Sequence, residues 1–206
     1  MLKARPLSAL LPLSLILVST LSAQQADSSL LSLDRIFSSD EFTPERLGPV
    51  RWLDNAAAYI KLEADSTIPG GRSLVRYDAA TGKREVWVPA NRLVPKGDSV
   101  PLVVDDYSVS ADGNQLLVFT NSKKVWRENT RGDFWALDLA GGRLHRLGGP
   151  TAKPSTLMFA KFAPDGGRVA YVRENNLYVE NLADGRITQL TKDGSRTIIN
   201  GTFDWV

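Results

Sequence analysis

Two copies of a glycine-ended turn, 53 residues apart, constrain this chain more than any other feature. Ser110-Ala111-Asp112-Gly113 and Ala163-Pro164-Asp165-Gly166 each precede an apolar run, Asp184-Gly185 adds a third Asp-Gly pair, and Trp52-Leu53-Asp54-Asn55 is a degenerate earlier copy. Aspartate hydrogen-bonds its own turn and glycine accepts positive φ, so such pairs close tight antiparallel hairpins. After each copy the same order of events recurs. An apolar strand comes first (residues 56–62, 115–120, 168–173), followed by a strand with an aromatic and an acidic residue (74–78, 134–138, 177–180). A glycine turn is next (Thr81-Gly82, Gly141-Gly142, Asp184-Gly185), and then an outer strand (83–88, 143–147, 186–191). Apolar–polar alternation is visible in residues 116–119, 169–172, 177–179 and 187–190, and no long amphipathic helix follows residue 49.

Four strands in each repeat of roughly 50 residues is the signature of a β-propeller blade. A β-sandwich with coincidental Asp-Gly hairpins is the competing reading, and two well-matched copies plus one weak one favour the propeller. The Gly-His and Trp-Asp marks of the WD40 type are absent. The expected fold class is all-β: a partial, open β-propeller of about three four-stranded antiparallel blades plus the start of a fourth, with a short N-terminal helix. The blades are expected at residues 50–90, 104–148 and 157–192, with a loop at 91–101 and the opening strand of a fourth blade at 201–206. A closed propeller needs four or more blades. Residues 49–206 are therefore expected to be an incomplete ring whose last strand offers unpaired backbone groups, and the 206 residues to be a fragment.

The first 23 residues have the layout of a secretory signal. Lys3 and Arg5 form a positive start, residues 7–18 are apolar apart from small or turn-forming residues, and Leu21-Ser22-Ala23 is a plausible cleavage site. An uncleaved membrane anchor is the alternative, but the apolar run is short for a span of about 20 residues. The expected location is exported, periplasmic or secreted. The 25 basic and 23 acidic residues give a net charge of +2. Removing the signal takes away two basic residues and no acid, leaving 23 of each. No basic surplus then points to nucleic acid. Residues 24–48 read as a lead-in segment, with a short helix from about Ser32 to Ser38, where Leu30, Leu31, Leu33, Ile36 and Phe37 have roughly helical spacing.

With no cysteine, the chain has no disulfide framework, thiol nucleophile or Cys-ligated metal site, and a single histidine excludes a His-rich metal centre. No cofactor is expected. A serine-hydrolase triad needs a Gly-x-Ser-x-Gly elbow, which does not occur here. His145 reads as a partly exposed residue of an outer strand, and Asp105-Asp106 as a solvated acidic pair. The glycine pairs Gly70-Gly71, Gly148-Gly149 and Gly166-Gly167 read as turns, not phosphate loops. The segment that stands out is Val125-Trp126-Arg127-Glu128-Asn129, between the second and third strands of the second blade. Trp126 and Arg127 could be a packing residue and a surface charge. Alternatively, Arg127 points into a cavity, where its planar fork can hold a carbonyl or carboxylate.

From about Leu33 to Val206 the chain resembles the N-terminal propeller region of dipeptidyl peptidase IV-type serine exopeptidases of the prolyl oligopeptidase clan. The residues that carry this are Ser108-Val109-Ser110-Ala111-Asp112-Gly113, Trp126-Arg127, Phe162-Ala163-Pro164-Asp165-Gly166, Ala170-Tyr171-Val172, Asn176-Leu177-Tyr178-Val179 and the terminal Asn200-Gly201-Thr202-Phe203-Asp204-Trp205-Val206. The resemblance implies an eight-bladed propeller over an α/β-hydrolase domain that removes N-terminal dipeptides, typically with Pro or Ala second. It implies a substrate-binding role for Arg127, on a substrate carbonyl. The glutamate pair that holds the free amino group would follow Val206, and the triad would lie further downstream. Implied partners are the N-terminal end of a peptide, the absent hydrolase domain and, for the parent, a second copy. The 206 residues alone are expected to be inactive. The other reading is a non-enzymatic exported propeller that binds proteins, like the TolB type.

Overall fold

A computed structural model describes residues 30–44, 47–53 and 57–202. The chain falls into two compact units, Met1–Arg46 and Leu47–Val206. The first unit contains helix α1, Leu33–Phe37. Its bounds follow from its caps: the Ser32 hydroxyl accepts from the Arg35 N–H, and the Ser38 N–H bonds the Asp34 carbonyl. Arg35 Nε also donates to Glu41 at 2.9 Å. None of the helix residues is buried. The expected signal lies outside the described residues.

The second unit is built of antiparallel strands joined in sequence order. Strands β1 (Val50–Trp52), β2 (Ala58–Ala64), β3 (Arg72–Asp78) and β4 (Arg84–Val88) form one four-stranded meander. A second comprises β5 (Asp106–Val109), β6 (Gln115–Val125), β7 (Glu128–Asp138) and β8 (Leu144–Arg146). The third comprises β9 (Leu157–Phe162), β10 (Arg168–Arg173), β11 (Asn176–Asn181) and β12 (Ile187–Gln189). The fold is the all-β, propeller-type arrangement that the repeat predicts. Gly201 and Thr202 lie in a bend, and the rest of the expected fourth-blade strand lies outside the described residues.

The repeated turns form as their residues dictate. Gly113 and Gly166 take φ of 73° and 68°, and their N–H groups bond the carbonyls of Ser110 and Ala163. A second repeated turn links the third and fourth strands of each meander. There Asp78, Asp138 and Asn181 each accept two backbone N–H groups with Oδ1, and the glycine four residues on closes the loop. The aspartate or asparagine is as much a part of this repeat as the glycine.

Two apolar cores separate the three meanders. Ile60, Leu74 and Val88 pack with Leu116, Val118 and Leu137; Leu117, Phe134 and Ala136 pack with Val169, Tyr171 and Tyr178. The second meander is thus covered on both faces. This corrects the expected alternation in residues 116–119: Leu116, Leu117 and Val118 are all buried, because consecutive side chains enter different cores. The strands β6 and β7 also differ from expectation. They run 11 residues each, beyond the sheet edge expected near residues 120 and 134.

Candidate functional site

The extra length of β6 and β7 builds a projecting hairpin. Its last pair is Val125 opposite Glu128, which leaves Trp126-Arg127 as a two-residue turn. Trp126 takes φ of 58°, a conformation that favours glycine and that a bulky residue adopts only at some cost. Trp126 is 65% exposed, which sets aside the packing reading of this residue. The Arg127 guanidinium lies over its indole, 4.4 Å from the ring centroid. Stacking of this kind fixes the direction of a planar cation without neutralising it. Among the described residues Arg127 makes no ion pair.

The root of the hairpin is anchored at several points. Asp133 Oδ1 accepts from Arg146 at 3.0 Å and from the Ser155 N–H at 2.9 Å, and Oδ2 accepts from Asn121 at 2.8 Å. Burial alone would raise the Asp133 pKa; these hydrogen bonds outweigh it and hold the carboxyl below its ordinary value. Asp105 accepts the Ser122 N–H at 3.0 Å. On the other side, Arg131 and Gly132 pair with Met158 and Leu157 of β9, so the hairpin ties the second and third meanders into one eight-stranded sheet. Gly132 has a steric reason: a Cβ there would meet the Phe119 ring at 2.3 Å.

Beside the hairpin lies an open cleft of about 740 Å³. Its walls come from β5, β6, β7 and β9, with Phe119, Phe134 and Phe159 among the apolar surfaces. The Phe119 and Phe134 rings sit 4.6 Å apart. Arg51 and Asp106 form an ion pair of 2.5 Å at the cleft, and Asp105 and Asp106 are both exposed, as the solvated reading expects. Glu128 and Thr130 reach the cleft from the hairpin, and the Thr130 hydroxyl is buried without a hydrogen-bond partner. Arg127 stands at the hairpin tip next to Glu128, outside the cleft wall. The turn thus places Arg127 exposed, one residue before Glu128 of the cleft lining.

His145 sits elsewhere, on β8. Its Nε2 lies 2.6 Å from Oε1 of Glu180, which is fully buried. Glu180 Oε2 accepts from the Gly148 N–H at 2.9 Å and from the Tyr171 hydroxyl at 3.1 Å. Burial, then the Glu180 charge, pushes the Tyr171 hydroxyl well above its ordinary pKa, so it stays a donor. This cluster joins the second and third meanders. The sequence pattern includes Glu180 only as the acidic residue of its strand and does not single out Asp133. Among the described residues no group of His, Asp and Glu could hold a metal ion, and no helix is long and apolar enough to cross a membrane.

Residues 110–206 match the family described as the dipeptidyl peptidase IV (DPP IV) N-terminal region. A probable dipeptidyl-aminopeptidase B of Penicillium rubens is 36% identical over 97 residues, which cover 47% of this chain and 11% of that protein. A probable dipeptidyl-aminopeptidase B of Aspergillus clavatus is 31% identical over 137 residues, covering 66% of this chain and 13% of the relative. The chain thus spans about an eighth of the length of these relatives. The crystal structure of Porphyromonas gingivalis dipeptidyl peptidase 4 matches with a TM-score of 0.62 and 24% identity, over 80% of this chain and 22% of that one; this likeness concerns the fold. The matched segment begins at Ser110, the first residue of the repeated turn, and contains the Trp126-Arg127 hairpin and the whole third meander. Residues 110–206 are thus similar to the dipeptidyl peptidase IV N-terminal region, and the chain shares its fold with the Porphyromonas gingivalis dipeptidyl peptidase 4 structure.

Proposed function

We propose that this chain is the substrate-recognition and lid portion of an exported serine dipeptidyl peptidase. Such an enzyme removes N-terminal dipeptides with Pro or Ala second, and an α/β-hydrolase domain outside these residues supplies the nucleophile. The observation that carries this reading is the Trp126-Arg127 turn at the tip of the hairpin of two 11-residue strands, inside the segment that matches the family, with its guanidinium stacked on Trp126 and, among the described residues, in no ion pair. In this reading Arg127 donates to the substrate carbonyl next to the held amino terminus. An exopeptidase must measure distance from a chain end, and a fixed fork on one carbonyl removes orientational freedom before chemistry. The names of the relatives from Penicillium rubens and Aspergillus clavatus support the same reaction class.

The test is product analysis. The complete protein that contains this chain, incubated with a peptide beginning Gly-Pro, should release the intact dipeptide. Residues 1–206 alone should release none. Single amino acids as products, or cleavage by the 206 residues alone, would contradict the reading.

A further inference from the structure

The cleft beside the hairpin contains an aromatic residue in a strained conformation that core packing does not explain. Between β9 and β10 the register slips: Met158 lies opposite Val172 and Lys161 opposite Ala170, so Phe159 and Ala160 share the single position facing Tyr171. This is a β-bulge, which re-aims side chains and recurs beside active sites. Strict alternation would give the cleft one residue here; the bulge gives it two, and both Phe159 and Ala160 line it.

Phe159 takes φ of 54°. An aromatic residue in the left-handed region costs free energy and persists only where its surroundings hold it there. Burial is not what the ring gains in return, because Phe159 is 36% exposed whereas Phe134 across the cleft is 7% exposed. The same β9 segment carries the pairs that anchor the hairpin, Leu157 with Gly132 and Met158 with Arg131. The bulge therefore follows directly on the contact that positions the hairpin.

The facing wall is apolar with one polar group. The Phe119 and Phe134 rings lie 4.6 Å apart, and Gly132 leaves room for the Phe119 ring. Thr130 lines the same wall, and its hydroxyl is buried without a partner among the described residues. Such a group costs free energy until something bonds it. Glu128 and Lys161 give the cleft one exposed charge of each sign, and neither is in an ion pair among the described residues. Apolar rings, one hydroxyl and balanced charge suit a peptide segment, whose side chain takes the rings and whose amide takes the hydroxyl; they do not suit an anion or a cation. Apart from Arg51, the cleft is walled by the second and third meanders, which already pack on each other, so it does not depend on the bare outer faces of the first and third.

Thr130 is three residues from Arg127 along β7, about 10 Å at strand spacing. An extended peptide covers that distance in about three residues. With Arg127 on the carbonyl next to the amino terminus, the cleft meets the peptide at about its fourth residue, past the bond cleaved after the second. We infer, on that reading of Arg127, that Phe159 is a specificity-determining residue: its ring, with Phe119 and Phe134, receives an aromatic or large apolar side chain from the segment of substrate that leaves after cleavage.

Hydrolysis of hexapeptides by the complete protein that contains this chain tests this. Each peptide begins Gly-Pro and carries Phe or Gly at its third, fourth or fifth residue among alanines, and chromatography measures the released Gly-Pro. The Phe peptide should exceed the Gly peptide in kcat/KM by about tenfold at one of these positions, the low end of what burying an aromatic side chain provides. Phe159→Gly suits the observed φ and removes the ring, and should bring that ratio below about two. The ratio is the readout because a general loss of stability or activity moves both peptides alike. Phe159→Asn, which also tolerates this backbone, replaces a Phe159→Gly protein that does not fold. Thr130→Val keeps the shape and should lower kcat/KM on the Phe peptide about fivefold without lowering Tm, since it breaks no internal hydrogen bond. Equal kcat/KM for Phe and Gly at all three positions, with Gly-Pro released, overturns the inference and leaves the dipeptidyl peptidase reading standing. A preference that survives Phe159→Gly does the same. Release of Gly-Pro from none of the peptides overturns that reading and the inference with it.

Discussion

Replacing Glu180 separates hydrogen bonding from charge in the cluster that joins the second and third meanders. The carboxylate is fully buried and has three partners: His145 Nε2 at 2.6 Å, the Gly148 N–H at 2.9 Å and the Tyr171 hydroxyl at 3.1 Å. Glu180→Ala strands two buried donors, each at a cost of about 1–3 kcal/mol, while His145, with 23% of its side chain exposed, can turn to water. The expected loss is about 3–5 kcal/mol, as for other buried pairs broken by removing one member. Glu180→Gln keeps the volume. Its carbonyl can take the Oε2 position and accept from Gly148 and Tyr171, and its amide can donate to a neutral His145 whose proton sits on Nδ1. That variant should lose less than about 1.5 kcal/mol, the value of one ordinary hydrogen bond. Urea unfolding followed by circular dichroism reads both. In thermal unfolding, at ~2–4 °C per kcal/mol for a unit of this size, Glu180→Ala should lower Tm by ~6–20 °C. A loss below about 1 kcal/mol for Glu180→Ala, or equal losses for the two variants, would refute the reasoning.

Two other substitutions test the hairpin root. Gly132→Ala places a methyl 2.3 Å from the Phe119 ring and 2.8 Å from the Thr120 carbonyl, so it should destabilise by about 1–3 kcal/mol; recovery in Gly132→Ala/Phe119→Leu, read by thermal unfolding, identifies the ring as the cause. Asp133 has a folded pKa below that of an unfolded aspartate, so its stabilisation is complete above about pH 4 and disappears as pH falls through the folded value. Asp133→Asn should therefore flatten the acid limb of the stability curve below pH 4, and an unchanged limb would show that the Asn121, Ser155 and Arg146 bonds do not hold the carboxylate.

Much of the fold was legible because turns are local. Gly113, Gly166 and Gly185 announce hairpins from two or three residues, and the strands after them follow from runs of apolar residues. The two-sided packing of the second meander was not legible in the same way. Leu116, Leu117 and Val118 look like any apolar run until both neighbouring sheets are in place. The length of β6 and β7 was hidden for a related reason: residues 121–131 are polar and charged, and what makes them strand is pairing with each other and with β9, not burial. At the site, Trp126 and Arg127 could be singled out from their types and position, but not the stacking that aims the guanidinium, nor its place outside the cleft wall. The roles of Glu180 and Asp133 were not legible because partners such as His145 and Ser155 lie 35 and 22 residues away, in elements whose approach only the folded chain creates.

The central claim is that Arg127 orients substrate from the hairpin tip. Steady-state kinetics of the complete protein on a Gly-Pro chromogenic substrate test it most directly, with wild type, Arg127→Ala and Arg127→Lys compared. Loss of a charge-assisted hydrogen bond of about 1.5–3 kcal/mol should lower kcat/KM by roughly 10- to 150-fold in Arg127→Ala. Arg127→Lys should recover only part of this, because a point charge does not replace a planar fork. Unchanged kcat/KM in a folded Arg127→Ala protein contradicts the account.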